Sequence, residues 1–124
     1  MKMHENMKRN IDLVRKILLE IEKKEKPEGW LNIEFSDFSD AEISYHVKIL
    51  TEAGFIESRN HTTKDGFNWV PVNLTWEGHE FLDASRNENI WQKTKKIIGE
   101  NAGSTSFAIL KELLIKVGMA QFGI

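Results

Sequence analysis

The sequence predicts an α+β fold in a single domain of 124 residues. Three observations carry that expectation. Apolar residues recur at helical spacing near both ends of the chain. Near the middle, two alternating runs flank Asp65–Gly66, the strongest short-range signal for a β-hairpin. Capping and breaking residues stand where these segments should begin and end. The predicted order is helix, strand, helix, β-hairpin, helix, helix, helix.

Residues 8–25 form the first helix, with Ile11, Leu13, Val14, Ile17, Leu18 and Ile21 on one side. Lys16, Glu20 and Lys23 face solvent, Leu19 falls outside the stripe, and Pro27 and Gly29 end the segment. "WLNIEF" alternates, so residues 30–35 read as a short strand with Leu31, Ile33 and Phe35 on one face. "SDFSD" has room for one turn, no more, and offers Ser39 as a helix cap. From Asp40 to Ala53 the period is helical again. Ile43, Val47, Leu50 and Ala53 lie inward, with His46 and Ile49 on the flanks. Ala41, Ser44, Tyr45, Lys48 and Glu52 lie outward, and Gly54 ends the helix in a left-handed conformation.

The hairpin runs through "FIESRNHTT", the turn "KDG" and "FNWVPVNL". Pro71 lacks an N–H, so its strand is an edge or is unpaired there. Thr75 caps the next helix, "LTWEGHEFLD". Asn89–Gly99 makes another, with Ile90, Trp91, Thr94, Ile97 and Ile98 on one side and Gln92, Lys93 and Lys96 on the other. "NAGS" interrupts, and Ser104 begins a last helix. Its stripe is Phe107, Ile109, Leu110, Leu113, Leu114 and Val117, with Ile115 and Met119 opposite, so it is apolar almost all round. No linker separates two domains. Residues 8–85 form the core unit and 86–124 a C-terminal helical extension.

Hydrophobic residues make up 40% and charged residues 29%, an ordinary soluble composition. The absence of cysteine excludes disulfide and thiolate chemistry and fits a reducing cytoplasm. No apolar run approaches the length of about 18 residues that a membrane span needs, and no signal peptide is visible. "MKMHENMKRN" reads as a short tail, with Met7 as an alternative start. The net charge of -2 weighs mildly against phosphate as a partner. Its distribution is uneven. Glu34–Glu57 carries -5 and Arg86–Lys116 carries +3.

The element order up to the hairpin is that of a winged helix-turn-helix-like domain, here with additional C-terminal helices. "YHVKILTEAGFIE" resembles the recognition helix and first wing strand of ArsR-type and MarR-type repressors, and "LTWEGHEFL" resembles the helix that follows the wing. Over nearly its whole length the chain resembles a family of small bacterial proteins of unknown function, often carried by phages and prophages. "MKRNIDLVRKILLEIE", "ISYHVKILTEAGFIE", "LTWEGHEFLDASR" and "FAILKELLIK" carry that likeness. It implies a winged-helix fold and leaves the role open. The chain departs from the pattern in having little room for the separate second helix of a full helix-turn-helix.

Three readings of these residues follow. In the first, Ala41, Ser44, Tyr45 and Lys48 enter the major groove of double-stranded DNA, while Arg59, His61 and Lys64 set the wing against its backbone. The simpler account of those four helix residues is a solvated outer side. Carboxylates within a Debye length of ~8 Å would oppose a bound backbone. In the second, the domain is an interaction adaptor whose acidic helix meets a basic protein. On either of these readings the last helix, through Leu114, Ile115, Met119 and Phe122, packs on a two-fold mate as a homodimer. The simpler account is burial against the first helix. In the third, the chain is an enzyme, and this is not expected. His4, His46, His61 and His79 fall in no metal-ligand spacing, and no cofactor loop or nucleophile elbow is present. His46 reads as a hydrogen-bonded core residue and His79 as a similar one. Trp30, Trp69, Trp76 and Trp91 read as packing residues rather than a base-stacking platform.

Overall fold

The computed structural model describes residues 7–99 and 105–123. It contains α1 (Ile11–Glu22), α2 (Asp40–Glu52), β1 (Ile56–Asn60), β2 (Trp69–Leu74), α3 (Trp76–Ser85), α4 (Glu88–Ile98) and α5 (Phe107–Phe122). The two strands form one antiparallel sheet. The fold is α+β, with α1 and α2 packed against the hairpin and α3 to α5 following it.

The helix ends follow from their caps. Asn10, Ser39, Thr75, Asn87 and Ser106 each accept a backbone N–H through the side chain. Ser39 and Glu42 close a full capping box, which starts α2 at Asp40. Gly54 follows α2 at φ +83°, the left-handed stop expected of it. The expected start of the last helix, Ser104, lies outside the described residues; the cap within them is Ser106.

Residues 30–35 form no strand. The alternation is real, since Leu31, Ile33 and Phe35 are half-buried and Trp30, Asn32 and Glu34 exposed. One backbone bond joins the segment to the sheet, from the Leu31 N–H to the Pro71 carbonyl at 2.9 Å. Pro71 has no N–H to offer in return, so the ladder does not propagate. "SDFSD" is a turn, held by Phe38 N–H to the Phe35 carbonyl. In the hairpin the register shifts between Glu57 and Ser58, which leaves Val72 as the extra residue on β2. Thr63 and Gly66 bridge, so Lys64 and Asp65 form the tip.

One buried cluster runs through every helix and the sheet. Leu13, Val14, Ile17 and Leu18 meet Val47, Leu50, Ile56, Phe81, Leu82, Trp91, Leu110 and Leu114. Phe55 stacks on Phe81 and on Phe107 with centroids 5.4 Å apart, Phe81 and Phe107 meet tilted at 5.6 Å, and the three join the α2–β1 corner, α3 and α5. Arg15 crosses from α1 to the α3–α4 corner. It donates to the carbonyls of Ser85 (2.8 Å) and Arg86 (2.9 Å), pairs with Glu88 (3.1 Å) and lies over the Trp91 ring. The Trp91 indole donates to Asp12. Of the four tryptophans Trp91 alone is fully buried. Trp69 is half-buried, and Trp30 and Trp76 are exposed. Three positions expected to face inward, Ala53, Ile97 and Ile109, are exposed as well.

Candidate nucleic-acid interface

Placing α2 between α1 and the hairpin decides which of its side chains stay accessible. Ile43, Val47 and Leu50 are buried, as their spacing requires. His46 is buried and bonded at both ring nitrogens. Nε2 accepts the Asn10 N–H at 2.9 Å, and Nδ1 sits 2.8 Å from the Glu42 carbonyl, to which it donates. Burial is the main cause that pulls its pKa below the usual histidine value. His79, expected in a similar setting, is exposed.

The outward side of α2 is narrower than its period suggests. Ala41 is exposed and Tyr45 half-buried. Lys48 is half-buried and its ammonium is tied to Glu52 one turn on. Ser44 does not face solvent. It is 6% exposed, because the extended residues 31–34 and the hairpin wall in the first turns of α2. On the hairpin, Arg59 and Lys64 are exposed, while the His61 ring meets Trp30 edge-on at 5.0 Å.

Those walls enclose a groove of about 510 Å³ that sequence reasoning missed. Leu31, Ile33, Ile43 and Val70 supply apolar lining, and Ser44 is part of its surface. Its charged lining is Glu34, Asp40 and Asp65, with His61 and no Lys or Arg. The only early sign of it was the -5 balance over Glu34–Glu57.

The proposed dimer residues divide. Leu114 is buried inside its own chain, packed in the common core, and is not available to a partner. Ile115 and Met119 are each 44% exposed and Phe122 64%.

The described residues thus set α2 beside a two-stranded hairpin that carries the exposed Arg59 and Lys64, within an α+β fold. The chain belongs to the family described as "Hypothetical protein (DUF2513)", whose model matches residues 8–105. It is similar to an "Uncharacterized protein" of Haemophilus influenzae, strain Rd, with 36% identity over 108 residues that span 86% of this chain and 92% of the relative. No solved structure matches the chain significantly. No helix among the described residues is long and apolar enough to cross a membrane.

Proposed function

We propose that the chain is a non-enzymatic, regulatory DNA-binding module that grips the duplex backbone through its hairpin. One observation carries this reading. Arg59 and Lys64 are exposed and lack a carboxylate partner among the described residues. Arg15, Lys16, Lys23, Lys48, Arg86, Lys95 and Lys111 are all engaged in ion pairs. Two unneutralised cations on one protruding ribbon suit phosphate, whose contacts position a protein without reading sequence. Ala41 and Tyr45 remain accessible for base-edge contact, and Glu52 holds Lys48 in reserve.

Fluorescence anisotropy on a random duplex across a salt series tests this. Log affinity should fall with log salt by about 0.9 per phosphate neutralised, and Arg59→Ala and Lys64→Ala should each flatten the slope by about one contact. Glu52→Gln should tighten binding by freeing Lys48. Absence of binding at low salt would sink the reading.

The groove favours a second reading, an adaptor for a basic protein segment. Three carboxylates and no Lys or Arg line it, a charge pattern that repels phosphate and attracts ammonium or guanidinium groups. Failure to bind duplex, with NMR shifts at Ser44 and Val70 on adding an arginine-containing peptide, would support the adaptor instead.

A further inference from the structure

The solvent side of α5 is unlike that of the other helices. Ile109 is 54% exposed, and Ile115, Met119 and Phe122 are large apolar side chains open to water as well. Leu114 is buried at the middle of the helix. At 100° per residue, the line directly opposite Leu114 carries Glu112 and Lys116, flanked by Ile109 and Met119. Glu112 and Lys116 stand one turn apart in the order that favours an ion pair within a helix. No such pair forms, and neither has an ionic partner among the described residues.

From this we infer that α5 is the interface to a second copy of this chain, packed antiparallel about a two-fold axis level with Leu114. The occupant follows from the charge order. A two-fold mate laid on this line sets Glu112 opposite the mate's Lys116, and Lys116 opposite the mate's Glu112. The same register sets Ile109 opposite Met119, twice over. The face is thus complementary to itself in both charge and apolar surface, the property a two-fold interface requires. A parallel mate in register would instead bring Glu112 onto Glu112 and Lys116 onto Lys116, and like charges repel. Ala108 and Ala120 flank the line and let the helices approach closely. This inference goes beyond DNA binding and does not depend on it.

Sedimentation velocity over a concentration series tests it with the full chain. The wild type should form dimers and nothing larger. Glu112→Lys alone and Lys116→Glu alone should each weaken the dimer about tenfold or more, since each places like charges together twice. The double variant E112K/K116E restores opposite charges and should return close to wild-type affinity. Met119→Asp should yield a monomer with an unchanged circular dichroism spectrum. A wild type that stays monomeric at high concentration, one that associates beyond two copies, or a double variant as weak as the singles would overturn the proposal.

Discussion

His46 shows how one residue can set a pH limit on the fold. Its ring is held neutral in one tautomer, accepting from Asn10 and donating to Glu42, with no third group to receive an added proton. Its pKa is lowered from 6.5, mainly by burial. The unfolded chain therefore binds the proton more readily than the folded one. The stability this site contributes is whole above the unfolded pKa and is lost as pH falls toward the depressed folded value. The thermal midpoint should drop as pH falls from about 7.5 to about 5.5, through the range in which the unfolded chain's histidine takes up its proton. His46→Gln should show a smaller drop over the same range. An identical pH profile in the two proteins would show that the ring is not what titrates. That His46 is a bonded core residue was legible from its place beside an apolar stripe. Ser44 was not, because its burial comes from residues 31–34 and the hairpin, distant in sequence, closing over the start of α2.

At the scale of elements, the tightest fit is α3 against the corner before β1. A Cβ built on Gly78 would stand 2.0 Å from the Phe55 carbonyl oxygen, which already accepts the Thr75 N–H at 3.0 Å. Backbone cannot rotate aside as a side chain can, so Gly78→Ala should cost about 3 kcal/mol in urea unfolding. Wild-type stability in that variant would contradict so close an approach. Most elements were readable in advance because their signals are local. Ser39 and Thr75 cap where expected, Gly54 stops α2, and Lys64–Gly66 turns the hairpin. The exception is instructive. "WLNIEF" has the alternation of a strand and buries the predicted face, yet a ladder needs donors and acceptors from a neighbour, and that neighbour offers Pro71. Alternation reports which side is covered; pairing is decided elsewhere in the chain. Leu114 illustrates the same limit on a helix. A segment apolar almost all round does not say which side meets its own core.

For the molecule as a whole, residues of all five helices meet in one buried cluster. Ile17 lies near the beginning of that cluster in sequence and Leu110 near its end, and both are fully buried. Ile17→Ala and Leu110→Ala should each remove about 2–5 kcal/mol. Both should shift the same single calorimetric transition, and a second, separately moving peak would show that the C-terminal helices melt on their own. Arg15 bears on a different property, the rigidity of the whole. Its guanidinium spans the joint between α3 and α4 like a bracket across a corner, taking hold of both sides and resting on Trp91. A joint braced in this way cannot swing without breaking several bonds at once. Since α3 and α4 are also the helices that pack on α5, two copies joined at α5 would hold those helix pairs at one angle, as the jaws of a fixed gauge do.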